Sequence, residues 1–224
     1  MNRIFIGWDS RFTAPAKVLE HSLRKHSSIP LDIRFLEYEH LRRCHGFNRV
    51  HDPLASTEFT YSRFLVPWLC DYDGVALFMD NDMLAFDDVA ELFHSNPADG
   101  WALRVVKHDH QVVDGSKKMY GAVQTSYPRK NWSSLMMMNC KNLRLWSRRV
   151  VETESGKYLH RFEGIPDDQI LELDPRWNSL DKKADDTAIL HWTSGGPWFK
   201  EYQNCDSADL WAKALQEQLD STLA

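Results

Sequence analysis

The sequence predicts an α/β protein, with a mostly parallel central sheet flanked by helices, in a single domain over residues 1–224. Three observations carry that expectation. Strand-length and helix-length segments alternate along the chain. The first strand, Arg3-Ile4-Phe5-Ile6-Gly7-Trp8-Asp9, passes through a glycine turn into a helix, the opening of a nucleotide-binding α/β unit. The third observation is Gly74-Val75-Ala76-Leu77-Phe78-Met79-Asp80-Asn81-Asp82. Its apolar run is too short for a surface helix and too continuous for a half-exposed strand. It reads as a strand buried on both faces that ends in two carboxylates.

The 224 residues suffice for one large core. A hydrophobic content of 43% and a charged content of 26% are ordinary for a globular protein. The net charge of −5, with no long basic tract, argues against duplex nucleic acid as a partner. Cys44, Cys70, Cys140 and Cys205 include no closely spaced pair, which disfavours a zinc knuckle or a disulfide scaffold. Met1-Asn2-Arg3-Ile4 runs straight into a strand, without room for a signal peptide. No stretch approaches transmembrane length, and the expected compartment is the cytoplasm. Nine tryptophans hint at a sugar site, because sugar faces stack on such rings, although most tryptophans are core.

The elements follow in order. Pro15 to His26 reads as a helix with Val18, Leu19, Ser22 and Leu23 inward, and Leu31 to Leu36 as a second strand. Glu37 to Pro53 is polar and rich in His and Arg; it reads as a loop on the site rim, with His40, His45 and His51 solvated. Ser56 to Leu69 reads as a helix that Pro67 kinks or shortens. Asp87 or Asp88 caps a short helix bearing Val89, Leu92 and Phe93. Trp101 to Val106 is a strand, followed by Lys107-His108-Asp109-His110. That tetrapeptide has metal-ligand residue types, but neighbours so close rarely converge on one ion. Gln111 to Lys130, with Gly115, Lys117, Lys118 and Gly121 and few apolar anchors, reads as a loop that closes over a substrate.

Trp132 to Cys140 is a buried strand whose methionines fill the core, and Leu143 to Glu152 is helical. Pro166-Asp167-Asp168-Gln169-Ile170-Leu171 starts a further helix with acidic residues in its first turn. Ala188 to Trp192 is a last strand, ending at His191, and Gly195-Gly196-Pro197-Trp198 follows. A glycine pair of this kind lets backbone approach a phosphate. An amphipathic helix over about 207–220 places Leu210, Trp211, Ala214 and Leu215 on the core.

Extended residues two apart point the same way, so Asp80 and Asp82 fall side by side at a strand's carboxyl end, where open α/β sheets bind ligands. Adjacent carboxylates repel unless a cation lies between them, and hard oxygens suit Mg²⁺ or Mn²⁺. The alternative is an acidic turn that caps the next helix, although Asp87 and Asp88 supply a separate cap. Asp9 either holds a base or ribose or serves the turn structurally. Arg63 makes either a surface ion pair or a fork for phosphate oxygens. His191, at a strand end, is either structural or a ligand.

Several separated pieces recur together: Thr60-Tyr61-Ser62-Arg63-Phe64, Phe78 to Asp82, Ser133 to Asn139, Asp167-Asp168-Gln169, Trp177-Asn178, and His191-Trp192-Thr193-Ser194-Gly195-Gly196-Pro197-Trp198. In this order they resemble the family 8 glycosyltransferases, the glycogenin and lipopolysaccharide galactosyltransferase group, whose fold is GT-A. The resemblance runs from Ile4 to about Tyr202. It implies a metal-dependent, retaining transfer of a hexose from UDP-glucose or UDP-galactose to a saccharide or glycolipid-core acceptor, in polysaccharide or lipopolysaccharide biosynthesis. By position, Asp80, Asp82 and His191 would ligate Mn²⁺ or Mg²⁺. Arg63 would contact the phosphates or donor sugar, and Asp168 and Gln169 would line the donor-sugar pocket. Ile6, Gly7, Asp9, Asn81, Gly195 and Gly196 would hold the nucleotide. The chain departs from the family at Trp132, Ser133 and Ser134, where Asn-Ala-Gly or Asn-Ser-Gly is usual, with Asn131 one place early. It also has Gly196 where a lysine usually precedes Pro-Trp, which leaves Lys200 or Arg63 to compensate.

Two other readings compete. One is a catalytically weakened sugar-nucleotide-binding protein of the same fold, to which the missing lysine lends weight. The other is a nucleotidyltransferase, which usually opens on a Gly-rich, Arg/Lys-bearing loop; Ile6-Gly7-Trp8-Asp9-Ser10-Arg11 matches that poorly.

Overall fold

The computed structural model describes residues 2–50, 52–53, 55–94, 100–109 and 128–223. Strand β1 (Arg3–Gly7) pairs in parallel with β2 (Asp32–Leu36) on one side and β3 (Val75–Met79) on the other. Helix α1 (Thr13–His26) joins β1 to β2. Past β3 the sheet continues through β6 (Leu135–Asn139), β5 (Leu103–Val105) and β7 (Ile170–Glu172). β6 is antiparallel to β3 and β5, and β7 is parallel to β5. Every strand of this sheet except β6 therefore runs one way. The chain goes outward from β1 to β2 and then returns to lay β3 on the other side of β1. That reversal opens a crevice at the carboxyl ends of β1 and β3.

The uninterrupted apolar runs are explained by cores on both faces. Phe5, Phe78, Met136 and Met138 join one cluster with Trp146 and Phe162. Ile4, Ile6, Leu77, Met79 and Met137 join the other with Leu19 and Leu23 of α1. This is the period-two alternation of strands, and the three methionines are core filling. β3 is parallel to one neighbour and antiparallel to the other, so burial on both faces, not parallel pairing alone, writes its sequence.

A second sheet contains the expected last strand and two strands that were not legible in the sequence. β4 (Met83–Ala85), β9 (Ile189–His191) and β8 (Ser179–Leu180) form it in the order β4-β9-β8. The C-terminal α7 (Ala208–Leu223) sets Trp211 and Ala214 against Leu84, Leu190, Trp192 and Val18. No helix among the described residues is long and apolar enough to cross a membrane.

Several expected elements differ. Within the expected loop Glu37–Pro53, α2 (Tyr38–His45) forms, with Leu41 buried and Gly46 ending it at φ +65°; a left-handed terminator suits glycine. His40 and His45 are exposed, as expected. The segment expected to be helical from Ser56 is helical only from Ser62, as a 3₁₀ turn (Ser62–Leu65) running into α3 (Val66–Leu69). Pro67 lies in the first turn of α3, where its missing N–H costs nothing. In the stretch Leu143–Glu152, the helix α5 (Arg148–Thr153) starts after Ser147, whose hydroxyl accepts from Val150 N–H at 3.3 Å.

The helix expected after Pro166 is instead one 3₁₀ turn (Asp167–Gln169) leading into β7. Pairing with β5 buries Ile170 and overrides the acidic first-turn signal. Asp88 does cap α4 (Ala90–His94), accepting from Ala90 N–H at 2.9 Å. His51, His110 and residues 111–127 of the expected closing loop lie outside the described residues.

Candidate active site

The chain leaves β3 and bends through Asp80-Asn81-Asp82 before resuming as β4. The Asp80 N–H donates to the Ser134 carbonyl at 2.8 Å, and the Trp192 N–H donates to the Asp82 carbonyl at 3.0 Å. In the small sheet, antiparallel pairing sets Met83 opposite His191, which delivers the imidazole to the aspartates. Asp80, Asp82 and His191 then present one ligand atom each, all within 4.8 Å of one another. Among the described residues this is the one such cluster.

Asp82 and His191 are buried, and carboxylates taken out of water need nearby positive charge. Arg63 supplies part of it. Its Nη1 lies 2.7 Å from Asp80 Oδ1 and donates to the Ser133 carbonyl at 2.9 Å. The guanidinium centre lies 5.3 Å from the Phe59 ring and 5.1 Å from that of Phe78, so this is a buried ion pair rather than a surface one. On His191, burial disfavours the charged ring, but the Asp82 and Asp80 carboxylates outweigh it and hold the pKa above its ordinary value.

His191 Nε2 lies 3.1 Å from Asp82 Oδ1, which is buried. Two lone pairs at that separation repel unless a cation lies between them, either a proton on the ring or a metal ion. Two carboxylate oxygens and one imidazole nitrogen suit a hard to borderline divalent cation. The residues present fit a metal.

The remaining predicted residues divide. Asp9 is 2% exposed, and its carboxylate accepts from Arg11 Nε at 2.8 Å and Nη2 at 2.5 Å. Arg11 balances the charge of this carboxylate within its own turn. It still borders a small cleft with Asn81, Asp82, Trp198 and Phe199. The Ile6 side chain is core. A Cβ on Gly7 would approach the Phe59 ring to 2.4 Å. Gly195 (φ +134°) and Gly196 make room for rings as well, since Cβ atoms there would lie 2.8 Å from Tyr202 and 2.1 Å from Trp198. This glycine pair admits close aromatic packing.

Asp168 and Gln169 lie apart from the aspartates in the sheet. They precede Ile170, which is level with Leu103, Met138 and Ala76 across the sheet. That is three strands away from β3 and near its amino end, on the order of 15–20 Å from Asp80. Asp168 is exposed, and the neighbouring Asp167 pairs with Arg129.

A cleft of about 370 Å³ opens beside the carboxyl end of β1, bordered by Ser10, Arg11, Glu58, Tyr61 and Ser62. Sequence reasoning gave no role to Asn178 or Ser134, although both contact the cluster's supports. The signal was faint: a polar side chain directly ahead of each of two short strands.

The fold is that of the GT-A glycosyltransferases, of the family 8 type. The apo bifunctional glycosyltransferase WbbM is similar to it with a TM-score of 0.63 at 16% identity, over 96% of this chain and 49% of that one, so the chain spans about half of WbbM. The galactosyltransferase LgtC, in complex with donor and acceptor sugar analogues, gives 0.59 at 15% identity, over 96% of this chain and 95% of that one. The glycosyltransferase GlyE of Streptococcus pneumoniae TIGR4 gives 0.61 at 14% identity, over 99% and 63%. No protein-family model matches the chain. The chain belongs to the family of Protein CDI of Arabidopsis thaliana, with which it is 41% identical over 226 residues, covering 96% of this chain and 86% of that protein.

Proposed function

We propose that the protein is a metal-dependent hexosyltransferase, moving glucose or galactose from its UDP conjugate to a saccharide or glycolipid-core acceptor. The observation that carries this reading is the Asp80–Asp82–His191 cluster at the carboxyl end of β3, beside the crevice where β1 and β3 diverge. In this reading the three residues hold Mn²⁺ or Mg²⁺. When bound, the ion supplies Lewis-acid charge to the diphosphate of the departing UDP.

Arg63, already against Asp80, adds fixed positive charge where the leaving phosphate gains negative charge. It takes over from the lysine that a ring-packed Gly196 cannot replace. The crevice between the cluster and the cleft beside Ser10 and Glu58 is the place for the nucleoside. The working mechanism is front-side attack assisted by the leaving phosphate, with retention of configuration.

The test is a calorimetric titration of UDP, UDP-glucose, UDP-galactose and GDP-mannose, each with and without Mn²⁺. Binding that prefers one UDP-sugar and vanishes with chelator is the expected result. Absence of nucleotide binding in the presence of metal would remove the enzyme reading and leave the fold.

A further inference from the structure

We infer that Asn178 and Ser134 are positioning residues that set the tautomer of His191, so that its Nε2 faces the metal position as a bare ligand atom. This rests on the metal-site reading above and assigns a role to two residues outside the cluster.

The argument is a count of hydrogens along one buried chain. The Ser134 hydroxyl has a single hydrogen, and its Oγ lies 2.6 Å from the Asn131 carbonyl oxygen. A carbonyl only accepts, so the hydroxyl hydrogen goes there. Ser134 Oγ must then act as acceptor toward Asn178, 2.9 Å away, and Asn178 turns its amide Nδ2 to it. The amide oxygen is thereby aimed at His191 Nδ1, at 2.9 Å. An oxygen there requires Nδ1 to carry a hydrogen.

In the neutral ring Nε2 is therefore the unprotonated nitrogen, and it is the atom facing Asp82. Asn178 is 0% exposed and Ser134 3% exposed, so water does not compete for these bonds. Ser134 acts twice, because its carbonyl also receives the Asp80 N–H. One residue thus fixes the approach of a carboxylate and, through Asn178, the orientation of the imidazole. Partners of this kind on a ligating histidine change metal affinity about 10–100-fold.

The experiment measures Mn²⁺ affinity of wild type, Asn178→Leu, Asn178→Asp and Ser134→Ala by calorimetry, with folding checked by circular dichroism. It also records ¹⁵N chemical shifts of the His191 ring in the chelated protein at alkaline pH. The expected wild-type ring is the Nδ1–H form, the opposite of the Nε2–H form that free imidazole side chains favour. Asn178→Leu should weaken Mn²⁺ binding about 10–100-fold and lose the Nδ1–H signature. Asn178→Asp keeps an acceptor toward Nδ1–H and should restore most of the affinity, which a merely structural role would not do.

If Asn178→Leu does not fold, Ser134→Ala decides. Freed to turn, the Asn178 amide should then give a mixture of tautomers and weaker binding. A folded Asn178→Leu or Ser134→Ala protein with wild-type affinity and ring shifts overturns the inference while leaving the metal site standing. A wild-type protein that binds no Mn²⁺ overturns the metal reading instead. The ring shifts then judge the tautomer alone, and an Nε2–H ring refutes it.

Discussion

Asp80-Asn81-Asp82 and Asp167-Asp168-Gln169 are both acidic tripeptides beside a short apolar strand, and they fare differently in the fold. The first follows its strand and lies at the carboxyl end of the sheet, where Arg63, Ser134 and His191 converge on it. The second precedes its strand and lies near the amino end, with Asp168 in solvent and Asp167 on Arg129. Residue type is shared, and direction relative to the sheet is not. Carboxylates at the diverging ends of β1 and β3 are desolvated and need cations, whereas those at the other end are hydrated and need nothing.

The contrast can be tested in order of expected effect. Asp82→Asn should weaken Mn²⁺ binding and Mn²⁺-dependent transfer by more than about 100-fold, exceeding a second-sphere loss, with the circular dichroism spectrum intact. Metal-dependent turnover that survives this change would break the contrast. Arg63→Met removes the buried guanidinium held against the partly exposed Asp80 carboxylate and should cost at most about 3–5 kcal/mol in chelated protein, read by denaturant unfolding. Mn²⁺ at a hundred times each protein's own Kd would stabilise wild type and variant alike by about 2.7 kcal/mol, so the two are compared at one common Mn²⁺ concentration, where a change in affinity alters the loss. An equal loss with and without metal would show that Arg63 only packs.

A smaller effect comes from pH. The His191 pKa is held above its ordinary 6.5, so in chelated protein its contribution to stability is complete below 6.5 and fades as pH rises through the raised value. Mn²⁺ must displace that proton, so the gain in melting temperature on adding Mn²⁺ should grow across the same window. A gain that is flat with pH would count against His191 as a ligand. The smallest effect belongs to Asp168→Ala, expected within about 0.5 kcal/mol of wild type in stability, with Mn²⁺ affinity unchanged. A large loss of transfer in that variant would restore the role suggested by family resemblance.

Much of the sheet was readable because both of its faces are covered. Val75 to Met79 and Leu135 to Asn139 show it as unbroken apolar runs. Asp80 and Asp82 were also readable, as carboxylates set at the end of such a run, whereas His191 and Arg63 joined them only through the family resemblance. Of the second sheet only β9 was readable, within Ala188 to Trp192, because strands as short as β4 and β8 leave no period to detect. The helix expected after Pro166 was a misreading because Asp-Asp-Gln after a proline has the composition of a helix start, and only the pairing of Ile170 with Leu103 reveals a strand. That Trp198 and Tyr202 fold back onto Gly195 and Gly196 was not readable either, because that contact is made in the fold and leaves no local pattern. Asn178 stayed silent for a related reason: an amide gains a role only through the two groups it lies between.

The cluster also has a history in time. Asp80 and Asp82 leave the ribosome more than a hundred residues before His191, and β9 reaches β4 only after the large sheet has its last strand, β7, in sequence order. Until then the nascent chain carries a pair of carboxylates with no imidazole beside them. Tight capture of a cation must wait for one of the latest long-range pairings in the chain, and domains complete such pairings as units. Metal uptake should therefore report that the chain has finished folding, and a truncation ending before residue 189 should fold its N-terminal strands, if at all, without gaining the tight site.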